Sequence, residues 1–363
     1  MKRRLFLTAC AAACANAADT KFDVARFERE RVLRNARKYL ADKPVSVTAA
    51  QSPRSAGGPH DFFSEGDYWW PDPKNPDGPY IQRDGMTNPD NFVEHRKFLM
   101  KLSVQAPALA ATWKLTGDKR YSNHAAAHIR AWFVDEATCM NPNLQFAQTI
   151  HDRTTGRGTG VIDTIHLVEV ARAIPLLAEA GSLSFADFGA AKKWFAEYTH
   201  WMNTCKNGME EGDAKNNHGT CWVMQVAAFV PGQIEPDGSQ PLEMRRTKPY
   251  GYCLFNLEAL TTICQDRLRI RRQSLELRNA RWLRHRQGNR VHVPVHQRQK
   301  SWKGPPDVMY FDKWRMRQEA LLFGGLAYQR ADYLDVWRKL PPDSDVDEVI
   351  RNFFIRQPVL WVN

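Results

Sequence analysis

The chain has few cysteines, little strand-like alternation and, after its first residues, no long apolar run. Beyond residue 20 no stretch of about 18 apolar residues occurs, so no later segment is long enough to span a bilayer. Of seven cysteines, Cys10 and Cys14 stand in the leading stretch. The other five, Cys139, Cys205, Cys221, Cys253 and Cys264, are odd in number and form no CxxC pair. That excludes a zinc knuckle and a disulfide-dense scaffold. Buried thiols on helices are expected, with one disulfide left open. The glycines of Thr155-Gly156-Arg157-Gly158-Thr159-Gly160 lack nucleotide-binding spacing and follow no strand signal in the sequence, which argues against a nucleotide site. No motif offers the poised carboxylate pair of a glycoside hydrolase, and no nucleic-acid-binding module is recognisable.

What the chain does have is aromatic and helical residues in quantity. Its 12 Trp, 18 Phe and 10 Tyr, within 43% hydrophobic residues, suffice for a full core. The net charge of +11 would ordinarily suggest a polyanionic partner. It is unevenly spread, however. From Asp266 to Lys300 there are eleven Lys and Arg against two acidic residues, a net +9, so the rest of the chain carries only +2. The start, MKRRLFLTACAAACANA, joins a basic head to a short apolar stretch with small residues at Ala15 and Ala17. This is a signal-peptide pattern over 1–17, leaving 18–363 as one domain bound for the periplasm or the exterior. A lipoprotein box ending at Cys10 is the alternative.

Helical periodicity dominates from 92 to 265. Phe92–Trp113 and Asp118–Phe133 pair around Thr116-Gly117-Asp118, the second burying Ala126, Ile129, Trp132 and Phe133. Val161–Ala180 and Phe185–Met202 repeat the arrangement, as do His218–Val230 and Tyr250–Gln265. The expected fold is all-α: an incomplete α/α toroid or barrel of antiparallel helix pairs. Residues 50–91, rich in Gly, Pro and Asp, read as a long lid-like loop over the helices.

Four stretches carry chemistry. In Lys215-Asn216-Asn217-His218, Asn217 is placed to cap a helix, with His218 in the first turn as a proton acceptor. Trp222 and Gln225 share the His218 face. Glu243-Met244-Arg245-Arg246-Thr247-Lys248-Pro249-Tyr250-Gly251-Tyr252 sets cations beside tyrosines, which suits an acidic ligand. Tyr68, Trp69 and Trp70 offer aromatic faces to sugars, with Arg83 close by in sequence. Gln148 and Arg157 flank the glycine stretch.

Taken together, NNHGTCW, EMRRTKPYGYCLFNLEAL, GDYWWPDP, NPNLQFAQ with TGRGTGVIDT, and the tail PPDVMYFDKW resemble the alginate lyase domain family, over roughly 55–265 and 305–362. Gly219-Thr220-Cys221 departs from the Ser-Tyr of the family's NNH motif. The resemblance implies a secreted polysaccharide lyase acting on a uronate polymer by β-elimination, with no metal and no cofactor. It implies an acidic polysaccharide as partner and no nucleic acid. Asn217 and Arg246 would neutralise the substrate carboxylate, with Arg245 as the alternative cation. Tyr252 would serve as acid, and as base when both events share one sugar face; His218 would be the base otherwise. A phenol has an ordinary pKa near about 10, so cations are needed nearby, and Arg245, Arg246 and Lys248 are at hand. The substrate-binding candidates are Tyr68, Trp69, Trp70, Arg83, Gln148, Arg157 and Trp222. A non-catalytic carbohydrate-binding relative is the alternative reading.

The resemblance breaks off across the basic window, 266–303, which suggests a reading-frame error. Permitted synonymous codons exist for which a reading one base later gives Gly- and Asp-punctuated text ending in an apolar FMYPFI run. A second shift near 301–304 would restore the tail. A genuine basic insertion is the alternative.

Overall fold

The computed structural model describes residues 22–226, 247–248, 250–255, 257–259, 261–262, 302 and 304–362. The signal-like start, Arg245, Arg246, Cys264 and the basic window up to residue 301 lie outside these residues. The chain divides into two compact units: Val24–Ala214 with Phe354–Asn363, and Lys215–Phe353 with the first 23 residues. No helix among the described residues is long and apolar enough to cross a membrane.

In the first unit, α1 (Val24–Tyr39), α2 (Glu94–Thr116), α3 (Lys119–Phe133), α4 (Leu167–Glu179), α5 (Phe185–Thr204) and α6 (Lys206–Gly212) form the framework. The turn between α2 and α3 has its expected chemistry. Gly117 closes α2 at φ +73°, where a side chain would be strained, and Asp118 caps α3 by accepting the Arg120 N–H at 3.0 Å. Ala126, Ile129, Trp132 and Phe133 are buried, as the periodicity requires. Each large apolar side chain contributes about 1.5–3 kcal/mol by burial. Ser184 and Asp187 form a capping box at the start of α5.

One expected helix is shortened. Residues 158–164 form a 3-10 turn, and α4 begins only at Leu167. The tight packing of the glycine stretch explains this. A Cβ on Gly156 would lie 1.9 Å from the Gln145 carbonyl oxygen, and one on Gly160 would lie 2.6 Å from Ala147. These glycines exist to let backbones touch.

The loop of residues 50–91 is more ordered than a plain lid. It contains β1 (Phe63–Glu65), which pairs in parallel with β4 (Phe146–Thr149), and a hairpin of β2 (Trp69–Trp70) with β3 (Ile81–Gln82). His95 on α2 fastens it. The Phe63 N–H donates to His95 Nδ1 at 2.9 Å, so Nε2 carries the proton and donates to the Ala50 carbonyl at 2.8 Å. The C-terminal segment is held by Glu169, a fully buried carboxylate. It accepts the backbone N–H groups of Arg356 and Gln357 and the Trp361 indole N–H.

In the second unit, α7 (Asn217–Val226) is followed by helical residues 250–255, 257–259 and 261–262, called here the Tyr252 helix. Then come α8 (Glu319–Tyr328), α9 (Ala331–Lys339) and α10 (Asp347–Asn352). Tyr250, Leu254, Trp314, Met316, Val349 and Phe353 form its core cluster. Among the described residues, Cys139, Cys205, Cys221 and Cys253 form no disulfide with one another.

Candidate functional site

Two groups of predicted residues can be described, one in each unit. In the second unit, α7 opens on the Asn-Asn-His triplet. Asn216, not Asn217, supplies the cap. Its side-chain oxygen accepts the His218 N–H at 3.2 Å, an Asx turn that fixes the first turn of the helix. This corrects the expectation for Asn217, which instead occupies the first helical position and is buried. His218 is half-buried behind it. Trp222 is half-buried too, one turn further on, its indole N–H without an acceptor among the described residues.

Tyr252 is buried in the first turn of its helix, its N–H donating to the Lys248 carbonyl at 3.0 Å. That turn is built by a residue from the tail. Asp307 accepts the Tyr250 N–H on one carboxylate oxygen at 2.8 Å and the Gly251 N–H on the other at 3.0 Å. Burial pushes the Asp307 carboxyl up to about 6, against the pull of the two amides. Gly251 is obligatory, because a Cβ there would meet the Trp314 ring at 2.7 Å. Further along, Glu258 accepts the N–H groups of Glu319 and Ala320, capping α8. The Tyr252 helix therefore receives a cap from the tail and gives one to it.

Lys248 does not act as a free cation for Tyr252. It is fully buried, its ammonium sits 2.8 Å from Glu348, and it lies over the Tyr310 ring. Its charge is answered by that carboxylate, since an uncompensated buried ammonium would be costly. Arg246 and its alternative Arg245 fall outside the described residues.

In the first unit the predicted binding residues gather around the β2–β3 hairpin. Tyr68, Trp69 and Trp70 are half-buried and Arg83 is exposed. Trp69 pairs with Gln82 and Trp70 with Ile81. The Trp70 indole N–H donates to the Met86 carbonyl at 2.8 Å, and the Asn88 side-chain amide donates to the Trp69 carbonyl at 2.9 Å. Cations lie on these rings: Arg83 over Trp70 at 5.1 Å, and both Arg153 and Arg157 over Trp69, at 5.3 and 5.9 Å. Such contacts contribute about 0.5–1 kcal/mol each where exposed. Arg153 carries no motif, and only its place four residues before Arg157 in a glycine-rich loop could have drawn notice.

Beneath the hairpin runs a buried polar network. Arg96 pairs with Asp67 and, at 3.1 Å, with Asp163. Asp163 also accepts from the Ser64 hydroxyl at 2.5 Å and the Gln148 amide at 3.2 Å. Gln148 is buried, with both ends of its amide engaged. Its Oε1 accepts from Arg157 at 2.9 Å, and its carbonyl accepts the Arg157 Nε–H at 3.0 Å. Its backbone is left-handed, φ +56°, a strained conformation for a non-glycine residue that costs of order 1 kcal/mol. Burial lowers the Arg157 pKa, while Asp163 and Asp67 oppose that shift. Among the described residues no group of three or more His, Cys, Asp or Glu is placed to hold a metal ion.

In sequence and fold the chain is similar to known proteins. A family model described as alginate lyase matches residues 46–230 and 228–269. The chain is similar to the crystal structure of an alginate lyase from Bacteroides ovatus, at 27% identity, covering 97% of this chain and 96% of that one, with a TM-score of 0.76. It is similar in fold to a histidine-to-alanine variant of alginate lyase A1-III complexed with a tetrasaccharide, at 14% identity, covering 98% and 94%, with a TM-score of 0.52. Comparison with curated proteins gives no match. The fold is accordingly mostly helical, of the α/α toroid class, with no closed barrel among the described residues.

Proposed function

The chain belongs to the alginate lyase family and is a polysaccharide lyase, and on that premise we propose that it cleaves alginate by β-elimination. The observation that carries this is the arrangement in the second unit: buried Asn217 and half-buried His218 open one helix, and Tyr252 stands in the first turn of the next. A titratable imidazole and a phenol are each fixed by backbone geometry rather than left on mobile loops.

The chemistry needs three things. The C5 proton of a uronate is hardly acidic while its carboxylate is charged, so that charge must be neutralised and the enolate-like dianion stabilised as it forms. Asn217 and Arg246 take this role. A base removes the C5 proton, the electron pair forms the C4–C5 double bond, and the C4–O bond breaks. An acid then protonates the departing oxygen. Tyr252 is that acid, and the base as well when both events occur on one face; His218 is the base when they do not. With Lys248 committed to Glu348, the arginines at 245 and 246 carry the burden of favouring the phenolate.

The leading stretch 1–17 would direct the protein to the periplasm or beyond, and N-terminal sequencing of the mature protein tests that. The basic window is read as out of frame, which resequencing the gene across it tests; an unambiguous in-frame read would refute it. The lyase reading itself is tested by ultraviolet absorbance of the unsaturated product. No rise with alginate blocks or any other uronan would sink it.

A further inference from the structure

The arginines on the hairpin tryptophans are not equivalent. Arg157 is anchored, with Nε and one Nη committed to Gln148. Arg153 is held differently. It sits in a tight turn closed by the Ile150–Thr154 bridge, with Asp152 left-handed at φ +52°. Its Nε donates to the Tyr80 carbonyl at 2.8 Å, and the Tyr80 ring stacks on His151 at 5.0 Å and 27°. Its guanidinium lies over Trp69. Neither Nη of Arg153 meets an acceptor among the described residues, and the side chain is exposed. Arg83 repeats the pattern on Trp70, its guanidinium resting on the ring with no hydrogen-bond partner among the described residues.

We propose that Arg153 is a specificity-determining residue: seated on Trp69 as Arg83 is on Trp70, it presents an open guanidinium fork to a carboxylate of the uronate chain. This rests on the polyuronate reading of the substrate. A free arginine loses up to about 2 kcal/mol of rotamer entropy when fixed. Here the indole and the Tyr80 carbonyl have already fixed it, so a carboxylate gains a bidentate pair at lower cost. The arrangement also changes what the tryptophan does. With two guanidiniums over it, Trp69 has at least one face covered, so it serves as a seat for cations rather than as an open platform for a neutral sugar. The hairpin then selects charged glycans over neutral ones of the same shape.

The test uses the full chain in affinity electrophoresis with alginate in the gel, at low and moderate salt. Carboxyl-reduced alginate is the neutral control. Arg153→Ala is expected to bind alginate about tenfold more weakly, the loss of roughly one charge-assisted pair, and to lose part of the salt sensitivity. Arg153→Lys keeps the charge without the planar fork and is expected to fall between. Neither protein should be retarded by the reduced polymer. Retardation of Arg153→Ala equal to wild type, with an unchanged thermal melt, overturns the assignment, as does equal retardation of the wild type by the neutral polymer. Wild-type turnover, measured in parallel, reports separately on the lyase reading.

Discussion

Asp307 and Tyr250 are 57 residues apart in sequence, yet a carboxylate oxygen of the first accepts the backbone N–H of the second at 2.8 Å. The other oxygen takes the next amide, that of Gly251, and Tyr252 follows directly. The tail of the chain thus sets the turn on which the proposed acid stands. In Asp307→Ala two buried amides lose their acceptor. At about 1–3 kcal/mol for a buried group left unsatisfied, the expected loss is at least 2 kcal/mol of stability, with turnover falling together with it. Asp307→Asn keeps one acceptor oxygen and should lose roughly half as much. Denaturant unfolding of the variants checks this; equal stability of wild type and Asp307→Ala would rule it out.

Gln148 is expected to act through Arg157, not on its own. Its amide is engaged at both ends, so removing it frees a guanidinium rather than deleting a substrate contact. Gln148→Ala should raise KM for alginate several-fold, corresponding to about 1 kcal/mol, with a smaller change in kcat. A steady-state comparison of the two constants decides it; a collapse of kcat at constant KM would place Gln148 in the chemistry instead.

The buried histidines should subtract from stability on acidification. His128 is buried, and burial, helped by His124 and Lys101, pushes its pKa down to about 4; burial lowers that of His95 as well. For a depressed histidine the unfolded chain binds the proton first. The stabilisation is therefore complete above the ordinary value of about 6.5 and is lost as pH falls through 6.5 toward 4. His128 alone is worth roughly 3 kcal/mol across that window. For His95 the reason is visible, since Nδ1 must stay unprotonated to accept the Phe63 N–H. Asp307, whose carboxyl burial pushes up to about 6, works in the opposite direction over much of the same window, so the histidine contribution is read as a difference between two proteins. Between pH 7.5 and 5 the melting temperature of wild type should move downward relative to that of His128→Gln. An identical pH dependence of the two proteins would contradict this.

The helices were legible because their signals are local. Apolar spacing in α3 and the Gly117-Asp118 turn state their structure within a few residues. The start of α4 was not, because Gly156 and Gly160 answer to Gln145 and Ala147, and Gly158 to Asn207 and Glu210, rather than to their own neighbours. The same limit applied to the site. Asn217, His218 and Tyr252 announce themselves in short motifs. Asp307, Glu258 and Glu348 do their work only through partners about 60 or 100 residues away. The commitment of Lys248 to Glu348 was invisible for that reason, and so was the role of Arg153, whose partner Trp69 stands on a hairpin far back in the sequence.

The proposed β-elimination depends on the two titratable groups of the second unit, His218 and Tyr252. The direct measurement is ultraviolet detection of the unsaturated product from defined polymannuronate and polyguluronate, with wild type, His218→Ala and Tyr252→Phe side by side. The expected result is turnover by the wild type on at least one polymer. Tyr252→Phe should reduce it by a factor of at least about 100, the scale of a lost general acid, and His218→Ala should reduce it clearly, with alginate binding retained in both. Wild-type turnover that survives both substitutions unchanged would contradict it.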